Sequence, residues 1–323
     1  MEEERSTMNK IPFEFSPSGL TLYLECPRAY LFRRQKKVSQ PQVMPALGTA
    51  FHDIVRQIHQ PTKSQRHFYF LSFESCRRAW WGRQFWGKAR SASALWTGDD
   101  PWSFYGSLGE RAVKAYWEVE ERAAGKPLAV EKHFGGTDCR VDGYHLRGVI
   151  DQARRMRNGQ IAIVDLKLSR SDPNTQSWQL WLRQNIQLTA YWIAAQSLWS
   201  GSEVCLYVHH FWIHLEAGAD DERHYRVTPG LYPTIRDDKD RERLREILDS
   251  VAGNIQDGLF PATENRATCR YCGYAYLCEQ GQAERGKIPQ SPVEGLEFAP
   301  ELAEVNALQS PPGVPKQLRF KLR

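Results

Sequence analysis

Apolar positions near the start of the chain recur with a helical period. The side chains that predict a helix over residues 46–60 lie three and four positions apart, at Leu47, Phe51, Ile54, Val55 and Ile58. An earlier helical pattern begins after Ser16 and is interrupted at Pro27, because proline cannot continue the interior of a helix. We therefore expect helices on both sides of Pro27 and a third one that ends near residue 60.

A strand pattern begins at residue 127. Strands are predicted for PLAVEKHF, for RVDGYHLRGVIDQARRM with a hairpin turn at Asp142-Gly143, and for IAIVDLKLS after a tight turn at Asn158-Gly159. Two later strands are predicted for EVCLYVHHFWIHL and ERHYRV. One long helix is predicted for SWQLWLRQNIQLTAYWIAAQSLW, and a charged amphipathic helix for DDKDRERLREILDSVAGNIQ. This mixture of strands and helices indicates an α/β fold.

Composition and charge narrow the class of protein. A chain of 323 residues with 41% hydrophobic and 25% charged residues is ordinary for a globular protein. The start, MEEERSTMNK, lacks the apolar core of a signal peptide, and no apolar run reaches twenty residues, so we expect a cytoplasmic protein without a membrane span. A net charge of +5 is compatible with a polyanionic partner. The chain contains no GxxxxGK[ST] stretch, which argues against a nucleotide-driven motor.

Three charged residues fall inside predicted strands, where charge is costly. Residues two apart on a strand face the same side, so Asp165 and Lys167 should project together, and the Asn158-Gly159 turn should bring the strand of Asp151 alongside. Two converging carboxylates favour a hard divalent cation between them, and the lysine can orient or help deprotonate a water, or stabilise phosphate charge. Strand-end aspartates with an exposed edge lysine are the ordinary alternative. The apolar run before Asp165 counts against that alternative.

The order of the motifs around these charges resembles the PD-(D/E)XK nuclease superfamily, in its RecB/AddB-like branch. The motifs that carry the resemblance are Ser16-Pro17-Ser18-Gly19-Leu20 with Tyr23-Leu24-Glu25-Cys26-Pro27, then Gly48-Thr49-Ala50-Phe51-His52, GVID ending at Asp151, IVDLK, and Gln187-Leu188-Thr189-Ala190-Tyr191. Each motif is weak alone. The ordered set spans residues 16–278, which makes it specific.

The resemblance implies roles for residues that composition would leave unassigned. It implies that Asp151, Asp165 and His52 bind Mg²⁺ or Mn²⁺ with help from Glu131, and that Lys167 assists the attacking water. Gln187 and Tyr191, neighbours on one helix face, would line the site and contact the lysine or the nucleic-acid backbone. Without the resemblance, His52 would be an ordinary core or surface histidine, Glu131 an exposed strand residue and Tyr191 a core residue. His59 is expected on the surface.

The cysteines form a second constellation. Cys269-x-x-Cys272 and Cys278 supply three thiolates in one short segment, and the fourth candidate is Cys26, far upstream. One N-terminal and three C-terminal cysteines resemble the iron–sulfur subgroup of these nucleases, which implies a [4Fe–4S] cluster that joins the two ends. Zinc on the same four thiolates is the alternative. Cys76, Cys139 and Cys205 are expected to be packing residues.

Basic and aromatic residues suggest a nucleic-acid surface. A basic cluster that could bind phosphates follows Cys26 and consists of Arg28, Arg33, Arg34, Lys36 and Lys37. Solvated surface charge is the ordinary interpretation of such a run. The tryptophans that could stack on unpaired bases, or form the core of a helical cap, are Trp80, Trp81, Trp86 and Trp117.

The resemblance predicts a restriction-endonuclease-like core, a central mixed sheet flanked by helices, with a helical insertion and an iron–sulfur staple. The predicted segments are a flexible start (1–15), N-terminal helices with the first cluster cysteine and the histidine motif (16–60), a helical insertion (61–126), the nuclease core (127–260), the cysteine segment (261–282) and a flexible tail (283–323).

The implied activity is that of a metal-dependent deoxyribonuclease. A single-strand exonuclease of DNA repair or recombination is favoured, because in this branch the helical part and the cluster form a passage for a single strand. A CRISPR adaptation nuclease that trims spacer precursors is a second hypothesis, weakened by the extra length in residues 60–125 and the tail. A non-catalytic DNA-binding subunit is a third, weakened by the retention of Asp151, Asp165 and Lys167. Expected partners are DNA ends and a helicase or an integrase.

Overall fold

The structure is a computed structural model that describes residues 14–37, 39, 43–60, 102–120, 123, 127–136, 139–216, 225–265, 268–269 and 272–286. Several predictions fall outside these residues. They concern the start up to residue 13, residues 61–101 of the insertion with Cys76, Trp80, Trp81 and Trp86, and the tail from residue 287 onward.

Helices and strands occur in successive blocks along the described chain. The helices are α1 (Pro17–Glu25), α2 (Pro27–Arg34), α3 (Val43–His59), α4 (Trp102–Glu120), α5 (Gln176–Gln184), α6 (Ile186–Leu198), α7 (Asp238–Gln256) and α8 (Glu279–Gly286), with a 3₁₀ turn at Ala275–Leu277. The strands are β1 (Glu14–Phe15), β2 (Pro127–Phe134), β3 (Arg140–Val141), β4 (Tyr144–Leu146), β5 (Gly148–Arg155), β6 (Ile161–Ser169), β7 (Val204–Leu215) and β8 (Tyr225–Thr234). The predicted break at Pro27 is confirmed, because α1 ends and α2 begins around it.

A five-stranded mixed sheet forms the centre. Its order is β2-β5-β6-β7-β8; β6 and β7 run parallel, and the other neighbours run antiparallel. A small second sheet has the order β1-β4-β3. The predicted mixed sheet flanked by helices is therefore confirmed.

The side chains of β6 show how the sheet separates two apolar cores. Ile161 and Ile163 belong to the core formed with α1, α6 and α7, whereas Val164 and Leu166 belong to the core formed with α3 and α4. Because side chains alternate along a strand, Asp165 and Lys167 share the face of Ile161 and Ile163, under α6. The site charges thus lie on the α6 side of β6, where the strand passes from its buried part to its half-buried end.

Both predicted hairpin turns are present, and backbone conformation explains their residues. Gly159 has a φ of 89°, and Asp142 and Gly143 have φ values of 42° and 90°. Glycine and, to a lesser degree, aspartate tolerate positive φ, which a tight turn between antiparallel strands requires. The turn at Gly159 sets β5 beside β6, with Gln152 opposite Val164.

Two elements differ from the predictions. The long helix predicted from residue 177 is two helices, because Asn185 adopts an extended conformation and its side chain accepts hydrogen bonds from the backbone N–H groups of Gln187 and Leu188. Strand β8 extends to Thr234, through Pro229 and Pro233, well beyond the predicted ERHYRV. Proline is tolerated there because β8 is an edge strand.

One buried arginine joins the end of β8 to the junction between α5 and α6. The guanidinium of Arg236 donates to the carbonyl of Leu182 at 2.8 Å, to the carbonyl of Asn185 at 3.4 Å and to the hydroxyl of Thr189 at 3.0 Å. It is 6% exposed, and burial lowers its pKa. This side chain therefore links the direction of α6 to the edge of the sheet.

Candidate active site

The central lysine is held between a carboxylate and an amide. Lys167 Nζ lies 3.0 Å from Asp165 Oδ1 and 3.2 Å from Gln187 Oε1. The amide nitrogen of Gln187 donates to the Tyr191 hydroxyl at 2.6 Å. The predicted contact between the Gln187–Tyr191 pair and the lysine is present.

Asp151 faces the same region from β5. Its Oδ2 accepts a hydrogen bond from the backbone N–H of Leu166 at 2.8 Å, and the residue is 7% exposed. This bond fixes the carboxylate at the point where β6 turns its charged side chains toward α6. The predicted approach of the two strands therefore brings Asp151 close to Asp165.

His52 enters the site from α3 with a defined tautomer. Its Nε2 lies 3.1 Å from the carbonyl oxygen of Leu166, which can only accept, so Nε2 carries the proton. Nδ1 then faces Asp151 Oδ1 at 3.8 Å and Glu131 Oε1 at 3.9 Å. A histidine whose other nitrogen donates to a backbone carbonyl is a typical arrangement for a metal ligand.

Glu131 completes the group from strand β2. Ligand atoms of His52, Glu131 and Asp151 all lie within 4.8 Å of one another, close enough to hold one ion. Glu131 has a φ of 50°, an uncommon conformation for a residue with a side chain. Such strain of about 1–3 kcal/mol persists only where the surroundings impose it, and here it directs the carboxylate to the group.

Asp165 lies beside this group rather than within it. Its side chain is fully buried, Oδ1 binds Lys167, and Oδ2 has no hydrogen-bond partner among the described residues. A buried carboxylate oxygen without a partner is costly, and a divalent cation is the natural group to satisfy it. The residues therefore fit the metal that the sequence predicted, with Glu131 more central than expected.

Burial and the neighbouring charges shift the pKa values of three groups in the site. Burial raises the pKa of Asp151 to about 6; His52 opposes this rise and Asp165 adds to it. Burial lowers the pKa of Lys167, but Asp165 and Asp151 outweigh burial, so the net shift is upward and the lysine stays protonated. Burial likewise lowers the pKa of His52, and Asp151 and Glu131 outweigh it.

A second polar cluster, which the sequence did not predict, lies on the α3–α4 side of the sheet. His59 Nε2 lies 2.6 Å from the Tyr116 hydroxyl, and Gln152 Nε2 donates to that hydroxyl at 3.1 Å. The guanidinium of Arg154 forms an ion pair with Glu120. The prediction that His59 is a surface residue is wrong, since its side chain is only 10% exposed. Its partners are far away in sequence, so no local pattern indicated them.

The four candidate cluster cysteines line one pocket. Cys26, Cys269, Cys272 and Cys278 all contribute to its wall, together with Phe32 and Tyr274. The N-terminal helices reach this region because the Tyr23 hydroxyl donates to the carbonyl of Leu259 at 2.8 Å, and the Arg28 backbone N–H donates to the carbonyl of Pro261 at 3.1 Å. Spacing alone could not show this approach.

The remaining predicted residues fall into two groups. The basic cluster of Arg28, Arg33, Arg34, Lys36 and Lys37 is exposed, and Arg28 also donates through Nε to the carbonyl of Phe260 at 2.9 Å. Cys139 is buried and Trp117 partly buried against a core, in agreement with packing roles. No described helix is long and apolar enough to span a membrane.

A family model and two solved structures are similar to the chain over most of its length. A family model of the PD-(D/E)XK nuclease superfamily matches residues 14–279. The crystal structure of SSO0001 is similar at 14% identity, covering 86% of this chain and 91% of that chain with a TM-score of 0.37. A candidate exonuclease from Eubacterium rectale is similar at 8% identity, covering 81% of this chain and 88% of that chain with a TM-score of 0.43. No curated protein matches the chain. The matched range includes His52, Glu131 and Asp151 as well as the four cysteines of the pocket.

Proposed function

We propose that this chain, which belongs to the PD-(D/E)XK nuclease superfamily and is a metal-dependent nuclease, is an exonuclease of single-stranded DNA ends. The observation that carries the chemistry is the convergence of His52, Glu131 and Asp151 within 4.8 Å, next to the Asp165–Lys167 pair. This arrangement is suited to phosphodiester hydrolysis, in which charge on a phosphate must be neutralised beside an activated water.

The metal would be held by His52 Nδ1 and by the Glu131 and Asp151 carboxylates, and Asp165 beside them would offer its unpaired Oδ2. A bound Mg²⁺ or Mn²⁺ supplies charge neutralisation and lowers the pKa of a water. Asp151 keeps one oxygen for this purpose, because the other accepts from Leu166. Asp165 binds Lys167 through Oδ1 and would keep Oδ2 for the ion.

Lys167 acts as a hydrogen-bond donor. Its ammonium group is protonated and fixed by Asp165 and Gln187, so it can donate to a phosphate oxygen or orient the attacking water. Tyr191 supports the arrangement by binding the amide of Gln187.

The choice of DNA ends follows from the iron–sulfur branch that the motifs resemble. In that branch the helical part and the cluster commonly form a passage for a single strand. The exposed basic cluster after Cys26 adjoins the cysteine pocket and could bind the backbone of such a strand. A role in DNA repair or recombination, beside a helicase, agrees with this activity.

We also propose a [4Fe–4S] cluster on Cys26, Cys269, Cys272 and Cys278, which share one pocket. Protein purified without oxygen should be brown and contain about four irons per chain. Substitution of Cys269 by serine should reduce the iron content, whereas the same change at Cys205, on β7, should not. Colourless protein with one zinc would replace the cluster by the zinc alternative.

The nuclease activity is tested with end-labelled linear and circular single-stranded DNA and with duplex DNA, in Mg²⁺, Mn²⁺ or EDTA. We expect metal-dependent release of nucleotides from linear single strands, no cutting of circles and no activity in Asp165→Ala. Cutting of circles would show an endonuclease. Metal-independent binding without cleavage would favour the non-catalytic alternative.

A further inference from the structure

A serine extends the charged face of β6 beyond the lysine. Ser169 is the last residue of β6 and lies two positions after Lys167, so Asp165, Lys167 and Ser169 project from one face of the strand. Two strand residues span roughly 7 Å. Ser169 is half-buried, as are Lys167 and Leu168, so this end of β6 is partly open to solvent.

The Ser169 hydroxyl is held by two neighbours. His210 Nε2 lies 2.9 Å from Ser169 Oγ, and the backbone N–H of Ser171 donates to the same oxygen at 3.2 Å. His210 is paired in register with Lys167 across the parallel strands β6 and β7. The serine, the histidine and the lysine therefore occupy one patch of the sheet.

The surroundings of His210 define where its proton lies. The ring is 1% exposed and stacks on Trp178, with centroids 5.4 Å apart and an interplanar angle of 28°. Burial lowers its pKa to about 4, so the ring is neutral near pH 7 and carries one N–H. Nδ1 has no partner among the described residues. A buried donor without a partner is rarer than a buried acceptor without one, so the proton belongs on Nε2, which donates to Ser169.

This protonation leaves the serine hydrogen available. A hydroxyl has one donor and two acceptor lone pairs, and both lone pairs of Ser169 Oγ are occupied by His210 and by Ser171 N–H. The hydrogen is then directed away from both neighbours, and no acceptor for it lies among the described residues. A fixed donor at one nucleotide's reach from Lys167 is suited to a phosphate oxygen.

We propose that Ser169 donates a hydrogen bond to the DNA phosphate next to the scissile one, and that His210 is the residue that positions it. The proposal rests on the proposed nuclease function and adds a contact to it. The competing explanation is that the hydroxyl only fastens the chain after β6, through Ser171. The two explanations differ for substrates that lack a neighbouring phosphate.

The test compares two substrates. One is a single-stranded oligonucleotide; the other is the p-nitrophenyl ester of thymidine 5′-phosphate, which has a single phosphodiester. A hydrogen bond to a charged group contributes a factor of roughly 10 to 100, so Ser169→Ala should lower kcat/KM on the oligonucleotide by that factor and leave the ester unchanged. Ser169→Thr should retain activity, and His210→Phe should show an intermediate loss on the oligonucleotide alone. Ser177→Ala is the matched control, because its exposed hydroxyl donates only to Thr175 at 3.2 Å.

Equal losses on both substrates, or no loss on either, would overturn the proposal. Binding of the oligonucleotide in Ca²⁺, measured by fluorescence anisotropy, separates this outcome from failure of the nuclease function. If the wild type binds the oligonucleotide in Ca²⁺ but does not cleave it in Mg²⁺ or Mn²⁺, the proposed function fails. A roughly 10-fold weaker complex of Ser169→Ala in Ca²⁺ would still support the contact. If Ser169→Ala binds as tightly as the wild type, the contact is refuted.

Replacement of one phosphate at a time by a neutral methylphosphonate locates the contact. In the wild type, the substitution next to the scissile phosphate should weaken binding, whereas Ser169→Ala should be insensitive at that position and normal at the others. Additive effects at every position would contradict the assignment, because groups in direct contact are coupled.

Discussion

Gln187 accepts a hydrogen bond from Lys167, with its Oε1 3.2 Å from the lysine Nζ. The orientation of this amide is set by Tyr191, which accepts from the amide nitrogen at 2.6 Å. The lysine position therefore depends on a helix residue twenty positions later, and this dependence can be measured.

Replacement of Gln187 by leucine should lower kcat about 10- to 100-fold and change KM little, because the lysine loses an acceptor that contributes roughly 1.5–3 kcal/mol. Gln187→Glu keeps an acceptor and should lose less. Tyr191→Phe should fall between them, since the amide can then rotate. Single-turnover kinetics on an end-labelled strand measure these effects. A Gln187→Leu enzyme with wild-type kcat would contradict the role.

Two substitutions of Glu131 separate strain from chemistry. Glu131→Gln and Glu131→Asn both remove the carboxylate and should both weaken Mn²⁺ binding, measured by calorimetry. Only asparagine adopts positive φ readily, so at the φ of 50° it should raise the free energy of unfolding by about 1 kcal/mol relative to glutamine. Equal stability of the two variants in urea would show that the backbone conformation carries no strain.

The buried ion pair between Arg154 and Glu120 should be costly to break. Glu120→Ala leaves a guanidinium whose side chain is only 8% exposed without its carboxylate, which should reduce the free energy of unfolding by about 3–5 kcal/mol. Glu118→Ala on the same helix removes an exposed partner of Lys114 and should change it by less than about 0.5 kcal/mol. Urea denaturation checks both values. Similar losses in the two variants would contradict the assignment of the larger loss to the burial of Arg154.

His209 should make the protein sensitive to acid. It is 7% exposed and packs on Phe211, with ring centroids 4.4 Å apart; burial lowers its pKa to about 4, and the charge of Arg154 acts in the same direction. The unfolded chain, with a pKa near 6.5, binds more protons between these values. The stability contributed by the neutral ring is therefore complete above about pH 6.5 and is lost as the pH falls toward 4, by up to about 3 kcal/mol.

His209→Gln cannot titrate and should show a shallower decline of stability between pH 6.5 and 4. His210 contributes in the same direction, so the decline should not vanish. The free energy of unfolding measured in urea at several pH values gives the slope. An unchanged slope would contradict the assignment of a buried neutral imidazole to His209.

The local part of the site follows from sequence periodicity. Asp165 and Lys167 are two residues apart on a strand, and a turn that requires Gly159 sets the strand of Asp151 beside them. His52 and Glu131 followed from the motif order instead, because nothing in their neighbouring residues distinguishes them from ordinary helix and strand residues. The strained backbone of Glu131 has no sequence signal at all.

The differences between the predicted and the observed elements have physical causes that no local sequence pattern contains. The apolar pattern continues across Asn185. The only sequence signal for a new helix there is that an asparagine side chain can cap a helix N-terminus. Pro229 and Pro233 made the end of β8 look irregular, because the edge position that tolerates them depends on the whole sheet. His59 is buried by partners from α4 and β5 that a helical pattern cannot reveal.

The link from Arg236 to the α5–α6 junction bears on how active and inactive relatives are told apart. A chain that kept every motif residue but lost this arginine would be classified as an intact enzyme. Its helix with Gln187 and Tyr191 would nevertheless have lost the bonds to Leu182, Asn185 and Thr189 that fix its direction. A relative can thus lose activity through a substitution at the edge of the sheet, and a comparison of motif residues alone would not detect it.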